Sequence, residues 1–161
     1  MPVSAEQFRS ALGRFASGVT VVTTAYNNQL TGLTVSAFCS VSLDPPYILI
    51  CVDKQSSANS LIQGAKAFAV NILRHDQAEL SNHFARRTED KFSSVEYVPG
   101  QLGMPLLQDT LGYLECTLAK QVDGGDHYIY VGQVENSAVV SGAEPLLYFT
   151  GSYRGLAPGQ L

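Results

Sequence analysis

The chain has 161 residues, 45% of them hydrophobic and 15% charged, with no tryptophan and a formal net charge of −4. This excludes intrinsic disorder, which needs low apolar content and high net charge; ten Lys plus Arg against fourteen Asp plus Glu also argue against a nucleic-acid partner. The longest apolar run, residues 47–52, falls far short of the ~20 residues a membrane-spanning helix needs. With fewer charges than the ~25% of an ordinary domain, part of the apolar surface is expected to lie against another subunit or a ligand.

The first expected element is a short amphipathic helix. Ser4 and Gln7 have capping-box spacing, and Phe8, Ala11, Leu12 and Phe15 make one apolar stripe that Gly18 is placed to stop. Residues 19–26, dense in Val and Thr, read as a strand, with Asn27 and Asn28 as the following turn. Further strands are expected over 33–41 and 47–52, separated by the non-helical Asp44-Pro45-Pro46. A polar loop over 53–59 leads to one or two helical turns at 60–65, then a buried strand over 67–73. A second helix begins at Asp76, with Leu80, Phe84 and Ala85 on its apolar side and Arg86 and Arg87 against its C-terminal dipole. Residues 88–108 are irregular. Long strands over 113–122 and 127–140 follow, joined by the turn signal Asp123-Gly124-Gly125-Asp126, and a short strand over 146–149 closes the set.

Six or seven strands with hairpin-like connections and two or three short helices do not alternate as a doubly wound sheet does. A mainly β fold is expected, a closed or partly closed antiparallel barrel, in one domain over residues 1–161. The three cysteines, Cys39, Cys51 and Cys116, form no Cys-x-x-Cys pair and sit among apolar neighbours, so they are expected as small buried hydrophobes. Residues 1–8 lack a signal-peptide pattern, and a reducing cytoplasm is the simplest setting.

No Gly-x-Gly-x-x-Gly opens a helix after a strand, no P-loop or Gly-x-Ser-x-Gly elbow is present, and His75, His83 and His127 have no metal-ligand spacing. No metal site is expected. What stands out is small and polar. Thr34-Val35-Ser36-Ala37-Phe38 reads on pattern alone as an edge strand facing water. Gln55-Ser56-Ser57-Ala58-Asn59 offers hydroxyls and helical N–H groups suited to a phosphate, though an ordinary N-cap is the commoner use of such residues. Lys91-Phe92 pairs a cation with an aromatic ring, or is plain surface, and Gly125-Asp126-His127 is by itself only a hairpin turn.

Taken in order, these segments resemble the short-chain flavin reductases, the reductase components of two-component flavin-dependent monooxygenases. The likeness runs through Phe8-Arg9-x-Ala11-Leu12-Gly13-x-Phe15-x-x-Gly18-Val19, Gly32-x-Thr34-x-Ser36-Ala37-Phe38-x-Ser40-Val41-Ser42-Leu43-Asp44-Pro45-Pro46 and Phe68-Ala69-Val70-Asn71-Ile72-Leu73. It continues through Phe84-Ala85, Asp90-Lys91-Phe92, Gly125-Asp126-His127 and Pro145-Leu146-Leu147-Tyr148-Phe149; Tyr153-Arg154 also matches, with no implied role.

The resemblance implies an FMN-binding split β-barrel (antiparallel, Greek-key) and a homodimer with flavin near its interface. It also implies hydride transfer from NADH or NADPH to FMN or FAD, and a partner monooxygenase that receives the reduced flavin. By position, Thr34, Val35, Ser36 and Ala37 would line the flavin ring. Asp53, Lys54, Ser56, Ser57 and Asn59 would hold the ribityl phosphate, with Phe84, Ala85, Arg86, Lys91 and Phe92 completing the site. Gly125, Asp126 and His127 would meet the nicotinamide, His127 being the residue closest to a catalytic role. One departure is Ala58, where the family often has Ser or Thr. The physical logic agrees: hydride transfer between two rings is cofactor chemistry, and the protein must stack them and supply donors without bulk. Two competitors remain. A flavin-binding electron carrier without reductase activity lacks a use for Gly125-Asp126-His127, and an oxidase of the pyridoxamine-phosphate type needs more basic residues than ten.

Overall fold

In the computed structural model, which describes residues 3–157, a seven-stranded antiparallel sheet is the frame on which everything else is mounted. The chain runs α1 (Ala5–Leu12), β1 (Ser17–Gly18), β2 (Thr20–Tyr26), β3 (Gln29–Val35), β4 (Phe38–Leu43), β5 (Pro46–Asp53), α2 (Ala58–Ala65), β6 (Ala67–Ile72) and α3 (Ala78–Ala85). It continues with β7 (Tyr97–Pro99), β8 (Pro105–Leu107), β9 (Gly112–Gly124), β10 (His127–Val139), β11 (Leu147–Phe149) and β12 (Ser152–Arg154). The large sheet has the order β3-β2-β6-β9-β10-β5-β4; β1, β11 and β12 make a small second sheet, and β7 and β8 a two-stranded one.

Turn chemistry sets the register. Asn27 (φ 47°) and Asn28 (φ 60°) are both left-handed, which gives the two-residue hairpin that pairs Tyr26 with Gln29. Between β9 and β10 the loop is Gly125-Asp126, with Gly125 at φ 84° and Gly124 paired to His127. The Val- and Thr-rich β2 is buried on both faces. Val22 joins a core with Ile50, Val52, Ile62, Phe68 and Tyr130, while Val21 joins a second core with Leu73, Phe84 and Leu146. Its threonine hydroxyls are absorbed by main chain: Thr20 Oγ1 donates to Val35 O (2.7 Å) and Thr24 Oγ1 to Ala67 O (2.9 Å). Among the described residues no buried side-chain nitrogen or oxygen lacks a partner.

Several expectations change. The Ser4/Gln7 capping box is present, but the first helix ends at Gly13, whose N–H closes onto Arg9 and Ala11, not at Gly18. None of its residues is buried, and Phe15 is 81% exposed, so the stripe finds no core within this chain to extend it. The expected strand over 33–41 is two strands broken at Ser36 and Ala37, and β12 was not foreseen. The second helix begins at Ala78, two residues beyond Asp76. Of the cysteines only Cys116 is buried; Cys51 is half-buried, and Cys39, on the edge strand β4, is exposed.

Candidate functional site

The site starts at the break between β3 and β4. Ser36 and Ala37 are exposed there; their carbonyls accept from Phe38 N (3.0 Å) and Cys51 N (3.1 Å). Their own N–H groups find no acceptor among the described residues. Two small residues thus present two uncommitted donors at a strand end.

Helix α3 lies across β3 and is fastened to it. Thr34 Oγ1 donates to Ser81 O (2.5 Å), and the Lys91 ammonium donates to Gly32 O and Phe84 O, both at 2.9 Å. Burial lowers the pKa of Lys91, but its partners are two carbonyls that need a donor. The His83 ring donates to Lys91 O (2.7 Å) and fixes that residue's backbone. From the small sheet, the Tyr153 hydroxyl donates to Asn82 Oδ1 (2.9 Å) and so accepts from Ser81 Oγ (2.8 Å), with Tyr148 edge-on to its ring.

Two cavities result. One, of about 400 Å³, lies between Val19, Thr34, Ser36, Asn82, Tyr148 and Tyr153. The other, of about 450 Å³, lies between Thr34, Ser56, Ser57, Ala85, Arg86 and Lys91, with Asp53, Phe84 and Arg87 also on its wall. Thr34 and Ala85 belong to both, so the two are one bent cleft, within the size range of small-molecule sites. Arg86 and Arg87 form no ion pair among the described residues.

At its far end the cleft meets residues 53–57. Asp53 Oδ1 accepts from Gln55 N (2.8 Å) and Asp53 O from Ser56 N (2.9 Å), which curls the segment into a tight loop ahead of α2. Ser57 stands at the N-cap of α2, yet its hydroxyl caps nothing, and its N–H has no acceptor among the described residues. Asn59 is buried behind the loop. Its Nδ2 donates to Asp53 O (2.9 Å), Lys54 O (3.2 Å) and Ser56 O (3.0 Å), while its Oδ1 accepts from the Tyr130 hydroxyl (2.8 Å).

The expected site residues therefore divide. Thr34, Ser36, Asp53, Ser56, Ser57, Phe84, Ala85, Arg86 and Lys91 meet on the cleft, with Ala37 at its edge. Val35 is buried in the first core, and Phe92 packs edge-on between Phe84 and Tyr97. The Lys54 ammonium turns away to Asp123 Oδ2 (2.6 Å) and the Tyr128 ring. Gly125, Asp126 and His127 lie beside the loop but not on the cleft wall: His127 pairs in register with Asp53, and Lys54 N donates to Asp126 O (2.9 Å). The His127 ring holds Asp126 Oδ1 at 2.7 Å, a contact that lowers the Asp126 pKa. Asn82, Tyr148, Tyr153 and Arg87 were not foreseen. The only signal for Tyr153 was its place in a matching Tyr-Arg pair.

This cleft suits a flat ring joined to a phosphate. Donors without bulk sit at one end, a free hydroxyl, N–H and two unpaired guanidinium groups at the other, and the described residues contain no cluster able to hold a metal. The comparisons agree in kind. The reductase subunit HsaB of a flavin-dependent monooxygenase from Mycobacterium tuberculosis is 37% identical over 153 residues, covering 94% of this chain and 82% of that protein. An NADH-dependent flavin reductase from a Rhodococcus species is 40% identical over 151 residues, covering 92% and 84%. The structure of the Streptomyces globisporus NADH:FAD oxidoreductase SgcE6 with NAD and FAD fragments superposes with a TM-score of 0.93 at 36% identity, covering 98% of this chain and 96% of that one. The family model described as the flavin reductase like domain matches residues 12–157, and the chain belongs to that family.

Proposed function

We propose that the chain is an NAD(P)H-dependent flavin reductase that passes hydride from a reduced nicotinamide to FMN or FAD and supplies reduced flavin to a separate monooxygenase. The observation that carries this reading is the single cleft with free backbone donors at one end and Ser57, Arg86 and Arg87 at the other. A bound flavin supplies the hydride-accepting chemistry. The chain's part is to bind and orient. The Ser36 and Ala37 N–H groups serve the electron-rich edge of a flat ring, and Ser56, Ser57, Arg86 and Arg87 serve a phosphate. Lys91, its ammonium donating to two carbonyls, holds the wall of the cleft. His127, steered by Asp126, contacts the nicotinamide carboxamide or covers its ring.

The same reading takes the chain as one domain, a split barrel whose two sheet edges, β3 and β4, are joined through Ser36 and Ala37. It takes the protein as a homodimer, supported by apolar side chains left in water by one chain: Leu43 at 95% and Val139 at 89% exposure. No helix of the described residues is long and apolar enough to cross a membrane, and three free thiols suit the cytoplasm. The test crosses FMN and FAD with NADH and NADPH in a steady-state assay. Flavin-dependent oxidation of a nicotinamide is expected; tight stoichiometric flavin without turnover makes the protein a carrier and overturns the reading.

A further inference from the structure

We infer that Tyr130 and Asn59, neither of which lines the cleft, are positioning residues that set the shape of the loop 53–57 for phosphate; this rests on the reading of that loop as the phosphate site. Tyr130 is fully buried on β10, and its hydroxyl donates to Asn59 Oδ1 (2.8 Å) while accepting from Gln63 Nε2 (3.1 Å). Burial raises the pKa of the phenol, so it stays a donor. A donor facing Asn59 decides which way the amide stands, because only the oxygen can accept from it. The amide nitrogen is thereby turned toward the loop, where its two hydrogens are shared among the carbonyls of Asp53, Lys54 and Ser56. With the carbonyls of Asp53, Lys54 and Ser56 held by the amide, the Ser57 N–H and hydroxyl are left without partners among the described residues. Phenol, amide and loop thus form a relay across about three hydrogen-bonded layers. Removing the phenol's hydroxyl leaves Asn59 Oδ1 a buried acceptor without its donor, which loosens the amide that holds the three carbonyls and unsettles the loop.

The test compares FMN with riboflavin, which lacks the phosphate. Dissociation constants for both are measured by flavin fluorescence titration on the wild type, Ser57→Ala, Tyr130→Phe and Asn59→Asp, with Tm recorded for each. Tyr130→Phe and Asn59→Asp are expected to weaken FMN about fivefold while riboflavin changes by less than about twofold, as for a lost buried hydrogen bond expressed only at the phosphate. If Tyr130→Phe does not fold, Gln63→Ala loosens the same phenol from its exposed side and is expected to act in the same direction. Equal weakening of both flavins, or no change in either, overturns the inference, since a merely structural role does not discriminate between them. If the wild type binds FMN and riboflavin equally and Ser57→Ala is silent, the phosphate reading of the loop has failed instead.

Discussion

Gly32 sits on β3 where the strand passes under Phe84, and a methyl group there is a sharp probe of the cleft wall. A Cβ at Gly32 falls 2.6 Å from Phe84 Cε1 and 2.7 Å from Cδ1. The ring must therefore retreat by about 0.8 Å to regain the 3.4 Å of ordinary contact. It has little room, being fully buried with Phe92 edge-on at 5.4 Å. Overpacking of this kind costs about 1–3 kcal/mol, which lowers Tm by about 3–10 °C in a chain of this length. Because Phe84 is also on the cleft wall and Gly32 O holds Lys91, flavin affinity should fall with stability. Differential scanning calorimetry of Gly32→Ala, alone and with Phe84→Leu, measures the effect. In the Phe84→Leu background the same methyl group should cost about 1 kcal/mol less. Gly142→Ala, whose Cβ meets nothing within 4 Å, is the control. If Gly32→Ala matches Gly142→Ala in Tm and flavin affinity, the reasoning about this wall is wrong.

Lys91→Met removes the donor shared by Gly32 O and Phe84 O and should destabilise by about 1–3 kcal/mol in urea unfolding; unchanged stability would mean the clamp is idle. His127→Ala should raise the KM for NADH while leaving the flavin Kd nearly unchanged, and an equal loss of flavin affinity would contradict a nicotinamide role. The Cys116 thiol is pushed up to about 12, first by burial and then by Glu135 and Glu115, from 9.0 in the unfolded chain. Its folded pKa is the higher, so its contribution is complete below 9.0 and is lost as the pH climbs toward about 12. Stability should fall across that window less steeply in Cys116→Ala than in the wild type. In the native protein a thiol reagent should reach Cys39 and spare Cys116.

Much of the sheet was legible because its signals are local. The Val/Thr density of β2 and the Asn27-Asn28 and Gly125-Asp126 turns act over a few residues, and the backbone obeys them. The break at Ser36 and Ala37 was not, because apolar and polar residues continue through it without a turn residue to mark it. The extent of the first helix failed for a related reason: Phe15 continues the stripe in sequence, but nothing in this chain packs against it. Within the site, residue types were legible and their commitments were not. A lysine at 91 suggests a phosphate ligand, yet only the fold reveals the two carbonyls that engage it. Asn59 likewise looks like a loop donor until Tyr130, 71 positions away, is seen to hold its amide. Tyr153 reaches the cleft only because β12 brings it back to Ser81, 72 positions earlier.

The most direct test of the central claim is a crystal structure of the protein with FMN bound. The account predicts the ring between Thr34, Ser36 and Tyr148 and the phosphate against Ser57 and Arg86. A flavin seated away from both ends of this cleft would contradict it.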